Sequence, residues 1–353
     1  MIQSYQGGKK MHGRFATLFI LLLMINFAYG KTQFTSYLSV VSQFSDAEQA
    51  YRQHIDREGS LQDSRGTLQI QQDFPNAWHL QANFQALAEE EYAVKLQQLA
   101  AVWRKDNLKL RLGKLAFPIG LFSQQLGFGY DLLWIRPPES FYSFHPFGPN
   151  VIHEHFTGAA LAINTQGRMQ WEPFFGHADL TNGRLKQILG LKLTSPINRQ
   201  VVFEVAGLRG YSAIDSLGGL LDDDEAITSL NVGIQIELGR AMLLGEWAQL
   251  SFGPKPKNSE VFYLGLAYKF NHWQGYFFLE DWQTEAGWGE KANVLGFKNQ
   301  ISAQFAIKLE WKQIEPEAVP RPDGFGQGLF VADLSKDQAQ LYSLALECKF
   351  ESF

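Results

Sequence analysis

Leu230-Asn231-Val232-Gly233-Ile234-Gln235-Ile236-Glu237-Leu238 alternates between apolar and other residues without a break. A period of two puts every apolar side chain on one face of an extended strand and the rest on the other. The pattern returns in Phe262, Leu264, Leu266, Tyr268 and Phe270, in Phe305, Ile307, Leu309 and Trp311, and in Tyr342, Leu344, Leu346, Cys348 and Phe350. It is equally clean in His79-Leu80-Gln81-Ala82-Asn83-Phe84-Gln85. Helical spacing is hardly seen beyond the first residues of the chain.

Marking every such run predicts about sixteen strands, at 34–44, 66–74, 77–87, 91–103, 107–118, 155–165, 168–178, 184–194, 199–211, 226–239, 241–252, 260–270, 273–284, 292–301, 303–314 and 339–350. Many are long enough to cross a bilayer at a tilt, which takes about 9–11 residues, where soluble strands usually have roughly five or six. Their connections alternate. Short ones fall at Pro75-Asn76, Lys105-Asp106, Gln166-Gly167, Pro196-Ile197-Asn198, Gly239-Arg240, Asn271-His272 and near Ser302. Generally longer ones span 45–65, 88–90, 119–154, 179–183, 212–225, 253–259, 285–291 and 315–338. Tight turns on one rim and longer loops on the other describe an all-β, antiparallel transmembrane barrel. Backbone N–H and C=O groups in hydrocarbon must all be paired, and only a closed sheet pairs them without leaving an edge.

Composition agrees. The 353 residues are 19% charged and 14% aromatic, too aromatic for a disordered chain. One cysteine excludes an internal disulfide framework, and a net charge of −5 argues against a nucleic-acid partner. Lys9, Lys10 and Arg14 precede a mostly apolar run from Phe15 to Ala28, and Ala28-Tyr29-Gly30 offers small residues for cleavage. Residues 1–30 therefore read as a secretory signal peptide and 31–353 as the barrel. Its removal takes away three basic and no acidic residues, leaving 28 basic against 36 acidic side chains.

Two stretches carry a resemblance. Leu110-Arg111-Leu112-Gly113-Lys114-Leu115-Ala116-Phe117-Pro118-Ile119-Gly120 is similar to a basic-x-Gly-basic…Pro-x-Gly strand, and Trp134-Ile135-Arg136-Pro137-Pro138 to the Trp-x-Arg-Pro-Pro segment that follows it, in phosphate-selective-porin-like families. Across 31–353 the chain resembles a sixteen-stranded Gram-negative outer-membrane porin. The resemblance implies a third long loop folded into the lumen, a homotrimer, Sec-type export to the outer membrane, and contact with outer-membrane lipids and lipopolysaccharide. It also implies recognition by the barrel-assembly machinery through a last strand ending near Phe350, since alternate apolar residues count back from Phe350 better than from Phe353.

Loop 119–154 is the longest connection and is rich in rings (Phe122, Phe128, Tyr130, Trp134, Phe141, Tyr142, Phe144, Phe147) that need burial. It is expected to form the constriction, with Asp131, Arg136, Glu139, His145, His153, Glu154 and His155 able to hold charge at it. Arg136, stiffened by two prolines, reads either as an anion contact or as a strut tying the loop to the wall. The polar parity of the strands predicts lumen-facing Lys95, Lys109, Arg111, Glu172, Lys186, Lys192, Glu204, Glu246, Lys269, Glu280, Lys308, Glu310, Lys312, Glu347 and Lys349. Basic residues lead nine to six in this set, which points to a lumen that favours anions. The acidic run Asp222-Asp223-Asp224-Glu225 reads as a solvated loop tip or a divalent-cation bridge to lipid phosphates. No metal, cofactor or catalytic triad is expected, and the leading reading is a passive diffusion channel for small hydrophilic solutes. The alternatives are a ligand-specific transport barrel, favoured mildly by the aromatic loop, and an outer-membrane hydrolase, for which only Ser140, Ser143 and His145 lie close together.

Overall fold

The computed structural model describes residues 31–353 except 53, 126–128, 143–154, 166–168, 181–182, 199, 214–223, 253–257, 320–326 and 353. The expected signal peptide lies outside the described residues, as do His145, His153 and Glu154 of the expected constriction.

Sixteen strands account for most of the chain. The first eight are β1 (Thr32–Ser45), β2 (Arg65–Asp73), β3 (Trp78–Leu87), β4 (Val94–Lys105), β5 (Leu108–Ala116), β6 (His155–Asn164), β7 (Gln170–Leu180) and β8 (Gly183–Pro196). The rest are β9 (Val201–Ala213), β10 (Ala226–Leu238), β11 (Ala241–Phe252), β12 (Ser259–Phe270), β13 (Trp273–Thr284), β14 (Gly289–Gln300), β15 (Phe305–Pro316) and β16 (Ala339–Ser352). Each pairs antiparallel with its neighbours in sequence, and β1 pairs with β16 to close the ring. No edge is left, so every strand finds backbone partners on both sides.

The alternation in sequence becomes two surfaces. On β12, Phe262, Leu264, Leu266 and Tyr268 stand exposed on the outside, while Val261, Tyr263 and Ala267 are buried inside. On β1, Leu38, Val40 and Phe44 point out, and Tyr37, Ser39, Val41 and Gln43 point in. An exposed belt of leucine and phenylalanine around a closed sheet is the surface a hydrocarbon solvent would select. The tight turns use residues that accept a left-handed backbone: Asp106, Gly239 and Asn271 all have positive φ.

Three features depart from the sequence reading. The β7–β8 connection on the long-loop rim is only residues 181–182. The register shifts between Lys186 and Leu189, where β8 bulges against β9. One extra residue turns every following side chain over, so Lys186 lies with Phe175, His177 and Leu189 on the outer face rather than in the lumen. Finally, β16 runs past Phe350, with Ser36 opposite Phe350 and Phe34 opposite Ser352. Glu351 and Ser352 extend the last strand without a bulge.

Candidate pore and its inward loop

The connection between β5 and β6 is fastened to the inner face of one arc of the barrel. Its Gly129–Asp131 turn and the segment that follows present backbone carbonyls to the wall, and wall lysines donate to them. Lys298 of β14 donates to the carbonyls of Tyr130 and, at 3.1 Å, Leu132. Lys308 of β15 donates to the carbonyls of Gly129 (2.8 Å) and Trp134 (3.0 Å) and lies 2.9 Å from Glu347. Lys308 is fully buried. The two loop carbonyls accept hydrogen bonds from the buried ammonium, and the nearby Glu347 carboxylate offsets its charge.

The next turn of the loop is held by carboxylates and cations. The backbone N–H of Ile135 donates to Glu310 at 3.2 Å. Arg136 donates to Ser343 (3.1 Å) and Gln43 (3.3 Å) and lies 3.5 Å from Glu310. Glu139 receives Lys312 at 2.6 Å, Tyr51 at 3.1 Å and Arg52 at 3.2 Å. Tyr51 and Arg52 belong to the β1–β2 loop, so a second loop also enters the barrel. Arg52 lies 3.7 Å from Asp63, which pairs with His54 at 3.2 Å and accepts from Gln43 at 2.5 Å. Burial by itself would raise the Glu139 carboxyl, but Lys312, Arg136 and Arg52 outweigh it and hold it at about 2. Asp63 is held well below the usual carboxylate range in the same way, with burial opposed by Arg52 and His54.

A third anchor is Glu246 of β11. It accepts from the hydroxyls of Tyr142 and, at 2.8 Å, Tyr263, and from the backbone N–H of Leu121 at 3.0 Å. Around it the loop's rings pack edge to face on the wall, with Trp134 and Phe278 at 5.3 Å and Phe141 and Tyr263 at 5.7 Å between centroids. Such pairs contribute about 0.5–1.5 kcal/mol each beyond the area they bury. The wall makes room for them with glycine: a Cβ at Gly265 would enter the ring of Phe278, and one at Gly296 the ring of Tyr276.

The two arcs of the barrel thus differ. Along β11–β16 the inner face is covered by these loops and closed off from water, down to Lys308, Glu310 and Lys312. Along β2–β5 the inward Gln69, Gln71, Gln81, Asn83, Gln85 and Lys109 remain partly accessible.

The expected site residues are accordingly divided. Arg136 and Glu139 are brought together as buried struts, whereas Asp131 is exposed and pairs with Lys349 at 3.1 Å. Glu246, Lys308 and Glu310 hold the loop. Arg111 is paired with Glu172, and Lys192 with Glu204 at 2.8 Å. Lys95 sits at the long-loop rim with Glu90, 2.5 Å away, and Lys109 is half-buried on β5. His155 opens β6, apart from the struts. Sequence reasoning missed Lys298, although its parity on β14 marks it as inward. It also missed Gln43, Tyr51, Arg52 and Asp63, and for the last three an aperiodic loop offers no signal.

No protein-family model matches this chain, and no curated protein matches its sequence. Solved structures do match its fold. The chain superposes on an anion-selective porin from Comamonas acidovorans with a TM-score of 0.67 at 11% identity, covering 91% of this chain and 100% of that one. It matches OmpF of Salmonella typhi, solved with daunomycin, at 0.64 and 8% identity, over 91% and 98% of the two chains. The outer membrane channel DcaP of Acinetobacter baumannii matches at 0.60 and 11% identity, over 92% and 98%. The chain has the closed sixteen-stranded antiparallel fold of Gram-negative outer-membrane porins.

Proposed function

We propose that this protein is an outer-membrane porin, a passive diffusion channel for small hydrophilic solutes that is exported by a Sec-type route and works as a homotrimer. The observation that carries the reading is the β5–β6 loop fastened to the inner wall of a barrel whose outer surface is apolar. A loop resting above the rim would leave the lumen wide; one bound to Lys298, Lys308, Glu310, Lys312 and Glu246 narrows it. Matches to solved channels, and to a trimeric form of one outer membrane protein, support the same role and assembly. The tight-turn rim then faces the periplasm and the longer loops face the outside. Barrel-assembly machinery reads the end of β16, and lipopolysaccharide surrounds the outer rim.

Charge in the lumen is largely spent internally. Arg111 and Lys192 are neutralised by Glu172 and Glu204, and Lys308 and Lys312 serve the loops. Arg104 and Lys109, at the periplasmic end of β4 and β5, keep access to water and give the pore a mild preference for anions. The test is planar-bilayer recording of the purified protein in potassium chloride. Steady open steps with a reversal potential displaced toward chloride are expected; a silent bilayer would overturn the reading.

A further inference from the structure

The accessible part of the inner wall has an unusual chemistry. Where β2 and β3 pair, five of the six inward side chains between the charged ends (Gln69, Gln71, Gln81, Asn83 and Gln85, with Thr67 the sixth) are primary amides, and β4 adds Gln98 beside inward Ala100 and Val102. Gln69 stands opposite Asn83, Gln71 opposite Gln81, and Asn83 in turn opposite Gln98. Thr67 opposite Gln85 continues the pattern toward the long-loop rim. Charged side chains on this inward face fall at its two ends, with Arg65 and Lys95 above and Asp73, Arg104 and Lys109 below.

These amides are poorly served by the protein itself. Among the described residues, the side chains of Gln69, Gln81 and Gln85 make no hydrogen bond. Asn83 donates to Gln98 at 2.7 Å, yet its own side-chain oxygen is buried without a partner. None of the five partly accessible amides is used to hold either inward loop, since the loops are fastened on β1, on β8 through Lys192 and on β11–β16. Gln71 donates to Asp73 at 3.2 Å and Asn83 pairs with Gln98, but among the described residues Gln69, Gln81 and Gln85 pair with none of the amides facing them.

We propose that this amide-lined wall is a solute track and that it takes uncharged, polyhydroxylated solutes such as sugars and sugar alcohols; the proposal rests on the channel reading above. A carboxylate only accepts and an ammonium only donates, but a primary amide offers two N–H donors and a carbonyl acceptor. A hydroxyl also both donates and accepts, so amide and hydroxyl match in either orientation. Facing amides lie about 5 Å apart across strands and successive ones about 7 Å apart along a strand, the scale of one sugar ring. A hydroxylated solute that loses water in the narrowed lumen can therefore take hold of one rung before releasing the last. Ions gain little from such a wall, and the occluded arc opposite it contributes no competing charge.

The experiment uses the full chain in planar bilayers, with lactose added to potassium chloride as the probe. Wild-type conductance should fall saturably as lactose rises. Replacing Gln69, Gln81 and Gln85 together by leucine should raise the half-blocking concentration by about tenfold, while conductance without sugar stays within about twofold of wild type. Gln81→Ala alone, which leaves the rest of the wall intact, should shift it by about two- to threefold and serves if the triple variant does not fold. Wild-type pores that conduct but are not blocked by lactose, or equal block of wild type and variants, would overturn the track and leave the channel standing. Absence of any conductance would instead overturn the channel, and the track with it.

Discussion

The ammonium of Lys312, on β15, lies 2.6 Å from a carboxylate oxygen of Glu139, and through this contact the barrel wall grips the chain that crosses its interior. Glu280 lies 3.3 Å from the same ammonium, and Tyr51 and Arg52 reach Glu139 from the other side. The pair is the junction between the wall and both inward loops. Removing one partner of a buried ion pair typically costs about 3–5 kcal/mol, because the other charge stays buried without its match. Lys312→Met is therefore expected to lower the melting temperature and to give larger, noisier single-channel steps as the loops loosen. Traces and melting indistinguishable from wild type would show that the junction holds nothing.

Arg136 was expected from sequence either to contact anions or to tie the loop to the wall. It is only 7% exposed and is engaged by Ser343, Gln43 and Glu310. Arg136→Ala should thus destabilise the barrel by a few kcal/mol, on the order of other broken buried networks. Reversal potential in a salt gradient should hardly move. A large loss of anion preference with unchanged melting would return Arg136 to the pore lining.

The response to acid follows from the depressed carboxylates of the loops. Glu139 is held at about 2 against an ordinary value of 4.5, so its contribution to stability is complete above 4.5 and is lost as pH falls toward 2. Asp63 is depressed in the same direction. Melting temperature should stay nearly level from neutral pH down to about 5 and then drop. In Glu139→Gln the starting temperature should be lower and the drop below pH 4.5 smaller. Equal drops in the two proteins would remove Glu139 from the explanation.

Leu264 lies in the middle of β12 with 45% of its surface exposed on the outer face. In a lipid-embedded barrel Leu264→Arg should cost about 2–4 kcal/mol, whereas on a water-exposed sheet it would be nearly neutral. Folding yield into phospholipid vesicles across a urea series measures the difference. A neutral result would contradict insertion of this belt into a membrane.

Much of the architecture was legible from residue order. The runs around Leu230–Leu238 and Phe262–Phe270 matched strands to within a residue or two, because period two and turn-forming Asp106, Gly239 and Asn271 are local properties. Lys186 was misplaced because a bulge reverses the parity on which its placement relied, and a bulge leaves no mark in a hydrophobic pattern. Lys308 and Lys312 were legible as inward but not as occupied, since the carbonyls and carboxylates they bind lie far away in sequence.

The sequence by itself determined that this chain forms long, two-faced antiparallel strands with tight turns on one rim, for each of those choices is made among neighbouring residues. Only the tertiary structure decided which inward groups meet one another and which still meet water. Closing the ring brings Tyr51, Arg136, Glu139 and Lys312 into one buried network, and it leaves the inward amides of β2 and β3 partly open. Burial and pairing of charge depend on distances across the barrel, and no local pattern encodes those distances.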